Sequence, residues 1–305
     1  MNLNTNNQIN LYGLKNNFNE LITLYNIKKF PNKILLSGEK GIGKCTLAYH
    51  LINFILSLNE EYPYDIENNL ISRENKSFKL IQNKSNPNFN LIDVTTDKKN
   101  IDIEQIRNLI INLNKSSLNN KPRFVLIDNI ELLNINSTNA LLKILEEPND
   151  NIFFILIHNN KKILSTLKSR CLNFKIYLSK IDSISVCNNL LDNDINDLIN
   201  PNLLDHYFSP GKIYNLVKFS NDNSIDLKNI ELKEFLSIII EKNYYKKNNE
   251  IKYIIYDFFE LFLLNNIPHS LNFHSYFVKQ LEKIKKFNLD EESLFIEFKY
   301  KLLNG

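Results

Sequence analysis

Gly38-x-x-x-x-Gly43-Lys44, within LLSGEKGIGKCTLAYH at residues 35–50, has the residue types and spacing of a phosphate cradle. Glycines let backbone N–H groups converge on phosphate oxygens, and the N-terminus of a following helix adds partial positive charge. Lys44 is placed to reach the outer phosphates. The residues expected to touch a nucleotide here are Gly38, Gly41, Gly43, Lys44 and Thr46. A plain glycine-rich turn between strand and helix is the alternative, and present-day nucleotide binding stays open at this point.

Two neighbours break the chemistry that such a loop normally serves. The position after Lys44 calls for a hydroxyl that ligates magnesium, and Cys45 stands there. A thiol is a poor ligand for a hard cation. Thr46 points about 100° away on a helix and does not substitute. Asp128 closes the apolar run RFVLID where a magnesium-associated carboxylate belongs, but the next residue is Asn129. An amide takes no proton from water at neutral pH. Glu131 lies two positions further on, in a turn. Cys45 and Asn129 fail independently, and both point to a site that does not hydrolyse nucleotide. No resident metal is expected.

These residues need a scaffold of alternating strands and helices. KILLS (33–37) precedes the loop, and Leu47, Leu51, Phe54, Ile55 and Leu58 fall at helical spacing after it. NLIDV (90–94), RFVLID (123–128), IFFILI (152–157) and FKIY (174–177) read as further strands. Residues 60–86 are polar and poorly periodic. Ile103, Ile106, Ile110 and Leu113 share a helix face. Leu141, Ile144 and Leu145 lie on another helix, with Asn136 as its N-cap and Pro148 as its stop. Continuous apolar strands separated by helices imply a parallel sheet covered on both faces. From about Lys180 the reading is all helical, with helices over 182–200, 202–218, 228–246, 249–265, 271–287 and 290–303.

Composition narrows the classes. Hydrophobic residues make up 43% and charged residues 23% of 305 positions, as in an ordinary globular protein. Only 6 glycines occur, and three stand between residues 38 and 43. The arginines are Arg73, Arg107, Arg123 and Arg170. A net charge of +3 permits nucleic-acid contact without arguing for it. Cys45, Cys171 and Cys187 have no zinc or disulfide spacing, and the polar start MNLNTNNQIN is no signal peptide, so a cytoplasmic setting is expected.

In this order the pieces resemble the AAA+ subunits of bacterial DNA polymerase III clamp loaders. The resemblance threads through residues 11–217, most specifically in NALLKILEEP and LKSRC, and extends to FSPGKIYNLV. It implies an α/β domain over 1–178, a helical lid over 179–225 and a helical collar over 226–305. It implies a hetero-pentameric ring with gamma/tau and delta subunits, acting with a sliding clamp and primed DNA. It implies that Ser169-Arg170-Cys171 presents Arg170, the one catalytic candidate, to ATP on a neighbouring subunit. Some members carry a degenerate ATP site of their own, and Cys45 with Asn129 match that kind. ATP or ADP is possible but not required. Residues 60–86 lack the cysteine cluster that binds zinc in some relatives, so zinc is not expected. Alignment on SPGK puts Lys212 where relatives often place an arginine near the nucleotide. Phe235, Leu236, Ile239, Ile254, Ile255, Phe258, Phe259 and Leu263 exceed what one small bundle must bury, so the tail is expected to carry oligomerisation. The rival readings are a self-sufficient AAA+ ATPase, either a motor subunit or a branch-migration helicase, and a small-molecule kinase. The first needs a magnesium site and a water-activating carboxylate, and the second leaves KSRC and the helical tail unexplained.

Overall fold

The computed structural model describes residues 4–303 except 96, 97, 99, 116–118, 147–150, 162, 205, 206, 248, 266–270 and 288. The chain divides into two compact units, Met1–Ser179 and Lys180–Gly305.

The first unit is built on five parallel strands, β1 (Lys33–Ser37), β2 (Phe89–Ile92), β3 (Arg123–Ile127), β4 (Ile152–His158) and β5 (Leu172–Lys175), in the order β2-β3-β4-β1-β5. Helices α1 (Lys15–Asn26), α2 (Lys44–Ser57), α3 (Lys76–Gln82), α4 (Ile103–Leu113), α5 (Ile135–Glu146) and α6 (Ser165–Lys168) precede or connect them. The inner strands β1, β3 and β4 are apolar over most of their length because they are covered on both faces, whereas the edge strands β2 and β5 carry Asn90, Asn173 and Lys175 and are more open. Ile34, Leu35, Phe124, Val125, Leu126, Ile155 and Leu156 are all fully buried. The ladder from Lys33↔Phe154 to Ser37↔His158 brings the carboxyl ends of β1 and β4 level, and Ile92↔Ile127 does the same for β2 and β3.

Strand ends differ from the sequence reading in one consistent way. NLIDV and RFVLID stop at Ile92 and Ile127, before Asp93, Val94 and Asp128. FKIY is displaced two residues back, to Leu172–Lys175, because its partner β1 ends at Ser37, where Gly38 opens the loop. The N-cap of α5 is Asn134, not Asn136: its Oδ1 accepts the Ser137 N–H at 2.8 Å. Pro148 lies outside the described residues. The polar stretch 60–86 contains α3, which is capped by Asn75 through the Phe78 N–H at 2.7 Å.

The second unit contains α7 (Lys180–Leu191), α8 (Ile195–Leu198), α9 (Pro210–Asp222), α10 (Leu232–Glu241), α11 (Tyr244–Lys247), α12 (Asn249–Asn265), α13 (Leu271–Phe287) and α14 (Glu292–Phe298). The single helix expected over 182–200 is broken between α7 and α8, where Asp192 takes a positive φ of 52° and Asp194 caps α8. The helix expected from 202 starts at Pro210 instead, because proline has no N–H to give an earlier turn and suits the first helical position.

One hydrophobic core runs through this unit from Cys187 to Leu303, so the expected lid–collar division at residue 225 falls inside a shared core. The eight apolar residues expected to be surplus for assembly are no surplus: each is at most 2% exposed. The reason is that the helices before residue 225 pack into the same core. Phe208 meets Phe258 at 5.1 Å between ring centroids, and Lys212 on α9 pairs with Asp257 on α12 at 2.8 Å. Among the described residues no helix is long and apolar enough to cross a membrane.

Candidate phosphate site and exposed arginine

The loop between β1 and α2 has the backbone that a phosphate cradle needs. Gly41 and Gly43 take φ values of 90° and 94°, and Gly43 forms the N-cap of α2. Left-handed residues at such a turn aim successive amides into one concavity. Gly38 is fixed for a different reason: a Cβ there would stand 2.2 Å from the carbonyl oxygen of Ile176.

The loop's lysine is turned onto the loop itself. Lys44 is 3% exposed, and its Nζ donates to the carbonyls of Gly38 at 2.9 Å and Glu39 at 2.5 Å. Two of the three ammonium donors are thereby committed. Burial lowers its pKa to about 8, against the opposing pull of Asp128, then Glu131 and Glu39.

Cys45 is turned to the N-terminal turn: its thiol donates to the Thr5 hydroxyl oxygen at 3.5 Å. Burial first, and Asp128 second, push the thiol well above its ordinary range. Asp128 is raised to about 6, by burial and then by Asp93, with the Asn129 N–H, the Cys45 thiol and Lys44 opposing. A magnesium ion would have to sit between a hydroxyl and this carboxylate. Here the neighbouring side chain is the Cys45 thiol, a poor ligand for a hard cation, and its S–H donates to Thr5. Among the described residues no group of three His, Cys, Asp or Glu side chains is arranged to hold a metal. The loop thus fits a phosphate, while the pair beside it does not fit magnesium.

Asn129 sits in the left-handed region, with φ 56°. Its amide donates to Asp93 Oδ1 at 3.0 Å, and its carbonyl accepts from Asn159 Nδ2 at 2.9 Å. Asn159 in turn donates to Glu131 through its amide at 3.0 Å and through its backbone at 3.4 Å. An amide that both donates and accepts is what links Asp93 to Asn159. A glutamate at 129 would face Asp93 with like charge.

Asp93 and Asn159 escaped the sequence reading, yet a signal for them existed. Gly38, Asp93, Asp128 and Asn159 each directly follow a parallel strand, at the edge where open α/β sheets place their ligands. Thr5 carried no such signal. Glu131, set aside as two residues too late, is brought close enough to act on Lys44.

Arg170 follows α6. Its Nη1 donates to the Thr166 carbonyl at 2.8 Å, and its Nη2 pairs with Glu146 at the end of α5. About a third of its side chain is exposed. Thr46 is half-buried on α2. Lys212 lies in the helical unit, with its ammonium on Asp257.

A parallel sheet in this strand order, with the phosphate loop after β1 and an all-helical part following, is the AAA+ P-loop fold. A family model described as "DNA polymerase III, delta subunit" matches residues 13–180, and the chain belongs to that family. Among curated relatives, the DNA polymerase III subunit delta' of Buchnera aphidicola subsp. Baizongia pistaciae is 29% identical over 176 residues, covering 55% of this chain and 51% of that one. The subunit delta' of Buchnera aphidicola subsp. Schizaphis graminum is 27% identical over 255 residues, 79% of this chain and 74% of the relative. The subunit gamma of the same organism is 33% identical over 161 residues, 52% of this chain and 42% of the relative. The chain thus spans from under half to about three quarters of these relatives' lengths.

Proposed function

We propose that this chain is the non-hydrolysing delta-prime subunit of a bacterial, cytoplasmic DNA polymerase III clamp loader. It joins gamma/tau and delta subunits in a hetero-pentameric ring that loads the sliding clamp on primed DNA. It lends Arg170 to ATP held by a neighbour. The observation that carries the reading is the state of the chain's own site. The cradle backbone is intact, while the groups that would do chemistry are committed internally: Lys44 to loop carbonyls, Cys45 to the Thr5 hydroxyl, and Asn129 to Asp93. ATP or ADP can rest in such a cradle without turnover. The likeness to curated delta-prime subunits supports the assignment. Likeness to gamma subunits supports a place among clamp-loader proteins.

An arginine supplied from the next subunit neutralises charge as the γ-phosphate leaves, and in related chemistry is worth roughly 10³–10⁵ in rate. Only one of the ring's sites would lose it here, so the whole ring slows less. In this reading 179–225 serve as lid and 226–305 as collar, and the collar carries assembly. Lys212 is committed to Asp257 and receives no role at the nucleotide.

The test is ATP hydrolysis by the assembled loader with clamp and primed DNA. Arg170→Ala and Arg170→Lys should both slow it, since an ammonium lacks the planar fork of guanidinium. The chain alone should show no turnover above background. Magnesium-dependent turnover by the isolated chain, abolished by Lys44→Ala, would instead make it a self-sufficient ATPase. An Arg170→Ala ring that runs at the unmutated rate would remove the role in trans.

A further inference from the structure

The arginines of this chain differ in what holds them. Arg123 is absorbed by the end of α4, donating to the carbonyls of Asn112, Leu113 and Lys115 at 2.7, 3.1 and 2.9 Å. That is a helix C-cap, and it accounts for the residue fully. Among the described residues Arg170 is held at two points, and one of them is a charge. Nη1 is fixed by the Thr166 carbonyl of its own helical turn, and Nη2 by the carboxylate of Glu146, which is 24 residues away in sequence.

The Glu146 contact has no evident job in folding. The two side chains are 33% and 53% exposed, and pairs this open contribute little to stability. Its geometric consequence is larger. A guanidinium is a rigid plane with five donors. Two acceptors on different terminal nitrogens fix both the position and the tilt of that plane, leaving the outer donors on Nε and the two Nη groups. An arginine on a long flexible stem would otherwise have to be ordered at the moment it meets a phosphate. Ordering it beforehand lowers the barrier to a productive encounter.

We propose that Glu146 is a positioning residue for Arg170, holding the guanidinium in the orientation in which it meets the terminal phosphate of a nucleotide bound by a neighbouring subunit. The inference rests on the reading of Arg170 as an arginine acting in trans. Glu146 does not itself touch the nucleotide.

A double-mutant cycle on the assembled ring separates the two claims. Glu146→Ala lowers kcat for ATP by about two- to fivefold, the range open to an exposed charge pair, with KM for ATP little changed. Glu146→Gln keeps an oxygen acceptor in the same place and restores most of the rate. In the Arg170→Ala background, Glu146→Ala costs nothing further, because coupled residues are not additive. A merely structural glutamate would give an additive loss. If Arg170→Ala slows the ring while Glu146→Ala leaves it unchanged, speeds it, or adds to the loss, the positioning role is wrong and the arginine stands alone. If Arg170→Ala itself leaves the rate unchanged, the reading of Arg170 fails and the role of Glu146 falls with it.

A second measurement needs only the full chain. With Arg73, Arg107, Arg123 and Arg170 as its arginines, the ¹⁵N side-chain signal of Arg170 is assigned by its loss in Arg170→Lys. Its Nε–H order should fall in Glu146→Ala and persist in Glu146→Gln. Unchanged order in Glu146→Ala overturns the proposal whatever the ring rates show.

Discussion

The phosphate loop and the Arg170 corner belong to the same unit, and they are maintained by opposite forces. The loop is locked by packing. Gly38 has no room for a Cβ beneath the Ile176 carbonyl, Lys44 is buried in its own loop, and Asp128, Asn129, Asp93, Asn159 and Glu131 form one hydrogen-bonded chain. Arg170 is held by one backbone carbonyl and one exposed carboxylate. A cradle that is part of the core keeps its shape whether or not it does chemistry, because losing the shape would cost stability. An exposed arginine that stabilises little needs another reason for its place. Persistence of the loop therefore says little about catalysis in this chain, and the placement of Arg170 says more.

Substitutions can break this contrast. Gly38→Ala should have the largest effect: overpacking against a backbone carbonyl should lower stability by about 3 kcal/mol in urea unfolding of the full chain. A change under about 1 kcal/mol would mean that the loop is not locked by packing.

Asn129→Glu, the change that restores a water-activating carboxylate on paper, should cost about 1–3 kcal/mol by the same measurement. It breaks the link to Asn159 and sets a carboxylate against Asp93. Combined with Cys45→Thr, it should still give no turnover in the isolated chain.

Asp128→Asn sharpens the electrostatic side. The folded pKa of Asp128 lies above its ordinary 3.8, at about 6, so the folded chain loses stability on its account as pH rises from 3.8 to about 6. Relative to the unmutated chain, Asp128→Asn should gain thermal stability across that window and hold the gain above it. A difference independent of pH would show that the carboxylate is not desolvated.

Arg170→Ala should have the smallest effect on folding, within about 0.5 kcal/mol, although under the proposed role it should slow the assembled ring. A loss as large as that of Gly38→Ala would place Arg170 among the structural residues and erase the contrast.

Local patterns determined much by themselves. KILLS, RFVLID and IFFILI announced buried parallel strands because a strand covered on both faces must be apolar throughout. Three of 6 glycines in one window marked the cradle, and Cys45 and Asn129 marked where a hydroxyl and a carboxylate are replaced, because these are properties of side-chain type and adjacency. What depended on partners was not legible. The ends of β2, β3 and β5 were set by where neighbouring strands stopped, and the cap of α5 fell on Asn134. The apolar residues of α10 and α12 looked surplus until the helices before residue 225 were seen to share their core. Lys44 turning onto its own loop, Asn129 bridging Asp93 and Asn159, and Glu146 gripping Arg170 all join residues far apart in sequence or depend on side-chain direction. Spacing along the chain fixes which groups are available, whereas only the packed fold decides which of them are left to act.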